Sequence, residues 1–368
     1  MRAYPRLFVG LVVSAAFVVT RFYATPAADA VSPPLPSYGS VPTVETVVGG
    51  YGPDGVVTIR WGALPETRQV IKVAAPTFMR AHPSLPVLYV TSEVGGGKNL
   101  RAVTRAGTVL SAVSSGGGSP VRSDVNRAGD RLAVANYDGS VALFSLSRNG
   151  SIARLLDSAR TTGSGPDRPR QGSSHPHSVS FGASGTELWV ADLGADTVLR
   201  FGLGTDRASL VEKERIAMPV GSGPRQVLLS ATGLAYVAGE LDGHLDVLGI
   251  QGADAKLLRR VRVREGAYTA EIALHPSGRW LVALSRGTGE CVVFDVLGDD
   301  LREAGAVACG DWPRHGAFDR TGTLFFVSSQ KGNEVLEFGF DKRAGTLTRQ
   351  RAVRFAKPAV VVPLPVLK

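Results

Sequence analysis

Residues 183–203, ASGTELWVADLGADTVLRFGL, carry the pattern that decides the fold. A small turn at Gly185 leads into the apolar run ELWVAD, the chain turns again through LGAD, and a second apolar run, TVLRF, follows. Two short apolar runs set off by tight polar turns read as a β-hairpin. Five further stretches repeat the plan: PSLPVLYVTSE from Pro83, RAGDRLAVANYDGSVALF from Arg127, ATGLAYVAGELDGHLDVLGI from Ala231, PSGRWLVALSRGTGECVVFDV from Pro276 and RTGTLFFVSSQKGNEVLEFGF from Arg320. The copies recur at about 45–55 residues, the spacing of a modular repeat. Gly129, Gly185, Gly233, Gly278 and Gly322 share one turn position, where a residue without Cβ tolerates positive φ.

Each unit parses into four strands, and four antiparallel strands per repeat is a propeller blade. A lone blade cannot bury both faces, so blades stack radially and the ring closes to hide its edges. A seventh blade can be assembled from the two chain ends, with ETVVGGYGPDGVVTIRWG from Glu45 pairing with RQRAVRFAKPAVVVPLP. The expected fold is all-β, a seven-bladed β-propeller of four-stranded antiparallel blades, occupying 46–368 as one domain. The chain of 368 residues exceeds one ordinary core, and its 44 Gly and 22 Pro are spread along the whole length, as many short strands require. A β-helix would need shorter and stricter periods.

The first thirty residues set Arg2 and Arg6 before an apolar run from Leu7 to Val19, with small residues at Ala28 and Ala30. This is the pattern of a signal peptide over 1–30, followed by a Pro-rich flexible lead-in over 31–45. The apolar run is shorter than a spanning helix needs and Arg21 closes it, so no stable membrane span is expected after processing. The expected destination is periplasmic or extracellular. The formal net charge of +9 stays positive without the leader. Lys and Arg are scattered and aromatics make up 7%, with no stacking motif, which argues against nucleic acid and for a small anionic ligand or simple solubility. A closed propeller is expected to be a monomer.

In a four-stranded meander the start of the inner strand and the end of the second strand lie on one face, so polar residues there converge on one mouth of the central channel. Inner-strand starts supply Arg122, His175 and His177, Arg225, Glu271, and Arg314 with His315. Second-strand ends supply Glu93, Asn136 with Tyr137 and Asp138, Asp192, Glu240, Arg286 and Gln330. Taken singly, such residues more often hydrogen-bond blade turns, which is the expectation for Asp192 and His275. Arg225, Arg286, Glu240 and His177 together suit an anionic ligand, since two guanidiniums stand with one carboxylate and one imidazole. His175, Arg314, His315, Glu271, Glu93 and Gln330 are the expected further ligand contacts. His175 and His177 could act only as a pair and nearby Asp192 is not an assured third ligand, so neither metal nor other cofactor is expected. The chain also lacks a G-x-S-x-G elbow, a P-loop and an H-E-x-x-H motif.

Two features stand outside the repeat. TTGSGPDRPRQGSS, residues 161–174, lengthens one blade-to-blade loop just before the paired histidines and reads either as a mobile flap or as a disordered insertion. Cys291 begins a third strand and Cys309 ends the fourth, equidistant from the turn near Asp300, so they are expected to be neighbours. An oxidising destination favours a disulfide between them over two buried thiols.

The segments HPHSVSF, VADLGADTVLRF, GSGPRQV, GELD, EIALHPSGRWLVALSRG and PRHGAFDRTGTLFFVSSQ resemble the lactonase family of seven-bladed propellers, which includes bacterial 6-phosphogluconolactonase of the propeller type and the fungal carboxy-muconate cyclase. VANYDGSVALF, APTFMRAHP and VLYVTSE extend the likeness toward the N-terminus. The resemblance implies a metal-free site in the central cleft, with His177, Arg225, Glu240 and Arg286 at the positions of the proposed cyclase chemistry. Their neighbours depart from the family pattern at Gln226, Gly239 and Ser285, which separates the family name from the substrate. The expected activity is hydrolysis or reversible closure of a lactone bearing an anionic group, with His177 or Glu240 as general base. The competing expectation is a non-catalytic exported propeller that binds a ligand or protein partner.

Overall fold

The computed structural model describes residues 44–94, 97–252 and 254–364. The expected signal peptide and nearly all of the expected lead-in lie outside the described residues.

Seven four-stranded antiparallel sheets form the molecule. In six of them the chain starts at an inner strand and meanders outward; the third is built from Pro176–Phe181, Glu187–Asp192, Thr197–Leu203 and Leu210–Ala217. In chain order these six inner strands open at Pro76, Pro120, Pro176, Pro224, Thr269 and Pro313. The seventh sheet joins the ends. Its inner strand is Pro358–Leu364, and Val44–Gly50, Val56–Trp61 and Glu66–Ile71 follow outward. Val47 faces Val362 in that antiparallel pairing, so the C-terminal strand latches the ring as the sequence implied. Every inner strand packs on the next, and the seventh packs on both the sixth and the first.

The ring is held by apolar wedges between blades. Trp280, Val282 and Leu284 of the fifth blade meet Phe325, Val327 and Phe338 of the sixth in one cluster. Ile59 and Trp61 of the seventh meet Phe326 and Val335 of the sixth in another. The second strands, such as Leu324–Ser329, are buried at nearly every position because a blade covers each of their faces. Outermost strands such as Asp254–Arg262 are exposed at most positions and carry Lys and Arg, charges that discourage edge-to-edge pairing.

The repeated turn glycines have φ between +68° and +80°. At Gly322 a side chain would strike the ring of His275, whose Nε2 lies 3.1 Å from the Gly322 carbonyl oxygen. His275 therefore ties the fifth blade to the turn of the sixth. His82 makes the same contact with Gly129, also at 3.1 Å, between the first and second blades.

Candidate functional site

The inner strands do not begin in regular register. Pro176 pairs with Asp192 and Ser178 with Ala191, which leaves His177 outside the ladder. Arg225 is bypassed in the same way between Pro224 and Gln226, and Arg314 between Pro313 and His315. In the fifth blade both Ala270 and Glu271 fall between the pairings of Thr269 and Ile272. A bulge turns the extra residue out of the pleat and re-aims its side chain. Tyr268 and Trp312, just ahead of two of these starts, are left-handed at φ +46° and +59°, a conformation costly for residues with a Cβ. The bulges thus aim the polar residues at strand starts inward, while Glu240 and Arg286 arrive from just past the second strands Leu234–Gly239 and Trp280–Ser285.

Glu240 lies at the centre of what they build. Its Oε2 accepts from Nη1 of Arg225 at 2.5 Å and is paired with Nη2 of Arg286 at 2.8 Å, and its Oε1 accepts from Nη2 of Arg170 at 2.6 Å. Burial acts to raise this carboxyl, but the surrounding charges, Arg225 and Arg286 foremost, outweigh it and hold Glu240 well below the usual carboxylate range. Nη1 of Arg225 also lies 2.7 Å from Nε2 of His177. A guanidinium can only donate, so Nε2 carries the lone pair and Nδ1 the ring proton. Burial and the charge of Arg225 hold this imidazole well below its usual range, with Glu240 opposing them. Arg286 is brought down to about 10 by burial and by Arg225, and remains charged at neutral pH. Its Nε donates to the Tyr268 carbonyl at 3.1 Å and its guanidinium lies 5.2 Å from the Trp312 ring centre.

A second group adjoins the first. Glu93 accepts from Nη2 of Arg314 at 3.0 Å and from the Tyr51 hydroxyl at 2.6 Å. Burial, with Glu93 contributing, raises the Tyr51 phenol and keeps it protonated. Both groups line one cleft of about 360 Å³ together with Tyr137, Ser119 and Val121. Its wall carries four arginines, Arg170, Arg225, Arg286 and Arg314, against two glutamates, Glu93 and Glu240.

Six of the expected site residues therefore meet: His177, Arg225, Glu240, Arg286, Arg314 and Glu93. The other four do not line this cleft. His175 stacks on the Tyr137 ring at 4.2 Å and places Nδ1 2.6 Å from the Tyr137 carbonyl oxygen, which commits it to packing. Gln330 lines a neighbouring hollow of about 520 Å³ that shares Tyr51 with the cleft. Glu271 takes a bidentate grip from Arg122, at 2.9 and 2.5 Å, and His315 lies 3.8 Å from the same carboxylate. The start of an inner strand reaches this cleft only where the bulge and the neighbouring loops leave it facing the opening.

Arg170 and Tyr51 were missed by sequence reasoning. Arg170 belongs to the insertion at 161–174, which folds into a hydrogen-bonded turn rather than a disordered segment. A helical turn, Arg168–Gln171, is capped by Asp167, whose side chain accepts from the Arg170 amide. Gln171 is buried and donates to the Leu193 carbonyl at 2.9 Å and to Asp196 at 2.7 Å, while Thr161 and Ser174 bond across the base at 2.6 Å. The available signal was Asp167 ahead of Arg-Pro, an N-cap followed by a proline in the first turn.

Two other expectations meet their outcome in the fold. Asp192 accepts from the Ser174 hydroxyl at 2.5 Å and from the backbone amides of His175, Gly194 and Ala195, the structural role expected of it. The expected bridge between Cys291 and Cys309 is not formed. Both are free thiols with no exposed surface, neighbours in the wedge between the fifth and sixth blades. Burial, and a hydrogen bond that the Cys291 thiol donates to Cys309, push the Cys291 thiol up. Among the described residues no group of three or more His, Cys, Asp or Glu could hold a metal ion, and no helix is long and apolar enough to cross a membrane.

Comparison with known proteins agrees with this architecture. The family model described as lactonase, 7-bladed beta-propeller, matches residues 45–363. A 6-phosphogluconolactonase of Bacillus subtilis is 26% identical over 322 residues, 83% of this chain and 89% of its own. One of Formosa agariphila is 29% identical over 248 residues, 64% of this chain and 70% of its own. The solved structure of a periplasmic gluconolactonase of Pseudomonas aeruginosa is similar at 26% identity and a TM-score of 0.79, covering 88% of this chain and 100% of that one. A second solved propeller, from Bacteroides uniformis, has a TM-score of 0.82 at 22% identity, covers 88% and 99% of the two chains and bears on the fold alone. Seven four-stranded blades and a family match along nearly the whole ring lead to one conclusion: the chain belongs to the lactonase family of seven-bladed β-propellers.

Proposed function

We propose that this protein is an exported lactonase that hydrolyses, or reversibly closes, a lactone bearing an anionic group in the cleft around Glu240. The observation that carries the reading is the electrostatics of that cleft. Four arginines face two glutamates around an open cavity of about 360 Å³, and a neutral imidazole stands among them. Such a wall attracts a carboxylate or other anion and stabilises charge that develops on a carbonyl oxygen.

In the proposed reaction Arg225 shifts its Nη1 from His177 to the lactone carbonyl oxygen, which frees the Nε2 lone pair; water attacks the carbonyl and its proton passes to that nitrogen. Arg225 and Arg286 hold the oxyanion as it forms. Collapse of the tetrahedral intermediate breaks the ring C–O bond, and the proton on His177 moves to the departing oxygen to give the hydroxy acid. Glu240 is the weaker choice of base because its charge is held by three guanidiniums. Its part is to hold them in place. The rival reading, a propeller that binds without catalysis, would be favoured by mutually paired side chains with no room left, whereas here the pairs are made and the cleft stays open.

Export rests on the charged and apolar pattern of residues 1–30, and the periplasmic gluconolactonase of Pseudomonas aeruginosa supports it. The test is a panel of aliphatic and aromatic lactones, uncharged and anionic, assayed with the mature protein. Activity on anionic members that falls at least about a hundredfold in His177→Ala is the expected result. Activity that survives Arg225→Ala would move the chemistry out of this cleft.

A further inference from the structure

We infer that Arg170, carried by the 161–174 insertion, selects for the anionic group by exchanging Glu240 for the ligand. This deepens the lactonase reading and rests on it. The three guanidiniums on Glu240 are not equivalent. Arg225 and Arg286 share Oε2, and their side chains are 7% and 6% exposed. Arg170 alone takes Oε1, and its side chain is 37% exposed. The two buried arginines already outweigh the single charge of the carboxylate, so Arg170 is surplus to its neutralisation. A cation that is surplus to that charge, solvent-accessible and part of the cleft wall can turn to an incoming anion, giving up Glu240 and its hydrogen bond with the Tyr137 side chain.

The insertion makes that exchange a side-chain movement. Its turn is pinned by Asp167 at the cap and by buried Gln171, which holds the Leu193 carbonyl and Asp196. The backbone therefore stays where it is while a long side chain changes partner. Glu240 keeps Arg225 and Arg286 on Oε2 when Arg170 leaves, so its charge stays paired while Oε1 gives up its donor.

The experiment compares glucono-δ-lactone, which is uncharged, with its 6-phosphorylated counterpart, in the wild type, Arg170→Ala and Arg170→Lys. Binding of 6-phosphogluconate is measured alongside by calorimetry, a readout independent of turnover. The expected result is that Arg170→Ala lowers kcat/KM on the phosphorylated lactone at least about tenfold more than on the uncharged one, through KM, with the lysine variant intermediate. Equal losses on both lactones, or a loss confined to kcat, would overturn the inference and leave Arg170 as a brace for Glu240. Should the wild type turn over neither lactone, the lactonase reading fails on these substrates and calorimetry decides alone. A tenfold weaker binding of 6-phosphogluconate in Arg170→Ala then supports anion selection. Unchanged binding, or none by the wild type, refutes it.

Discussion

Arg122 and Glu271 are joined by two hydrogen bonds, 2.9 and 2.5 Å, although they rise from the inner strands of the second and fifth blades. Those blades are not neighbours in the ring, so the pair crosses the central channel. His315 of the sixth blade lies beside it, and the Arg122 guanidinium lies 4.7 Å from the ring centre of Phe78 of the first. Four blades are thus tied together at the axis.

This crossing pair should matter for stability more than a surface ion pair does. Glu271 is 5% exposed, so Arg122→Ala would leave its carboxylate buried without its main partner. The expected cost is about 3–5 kcal/mol, read by denaturant unfolding. A change within about 0.5 kcal/mol would show that the pair is incidental to closing the ring.

Acid should weaken the fold in a defined window. Burial, opposed by Glu271, brings His315 down to about 4 from an ordinary value near 6.5. Between those values the unfolded chain takes up a proton that the folded one refuses, so stability falls as pH drops from about 6.5 towards 4. Glu271 acts in the same sense in acid, since Arg122 outweighs burial and holds its carboxyl below the usual range. Unfolding free energies measured from pH 7 to pH 4.5 should show this slope, and His315→Gln should make it shallower. An identical slope in the variant would remove His315 from the account.

The same argument applies to the imidazole in the cleft. His177 is held neutral by burial and by Arg225, so its NMR signal should not titrate between pH 8 and pH 6. Arg225→Met removes a neighbouring positive charge, which favours the imidazolium, and should move the titration to higher pH. A wild-type His177 that titrates near 6.5 would contradict the arrangement described for the cleft.

The two thiols offer a check on the core. Cys291 and Cys309 should resist a thiol reagent in the native protein and yield two equivalents once the chain is denatured without reductant. No reactive thiol after denaturation would mean that the bridge forms after all.

Much of this molecule was readable from local pattern. The turn at Gly185, the alternation of short apolar runs and their return at Gly233, Gly278 and Gly322 specify blades, and the apolar segments at both ends specify the latch. Residue type and position in the blade also brought His177, Arg225, Glu240 and Arg286 forward as a set. The same rule also brought forward His175, Glu271, His315 and Gln330, which lie outside that cleft, because every blade has an inner-strand start and a second-strand end. Position in a repeat says which end of a blade a residue occupies and not which neighbour its side chain meets.

Sequence alone determined the periodicity, the strand and turn assignments, the closure of the ring and the chemical types gathered at one mouth, since all of these follow from spacing along the chain. Tertiary structure alone decided that Glu240 binds three arginines, that Arg122 reaches across the channel to Glu271, and that the insertion folds into a turn which delivers Arg170. The physical reason is that all of these contacts but Arg225–Glu240 join residues from different blades or from the insertion, and that one depends on the bulge at Arg225. Their distances depend on how the ring closes and on the bulges at the strand starts, which no single segment encodes.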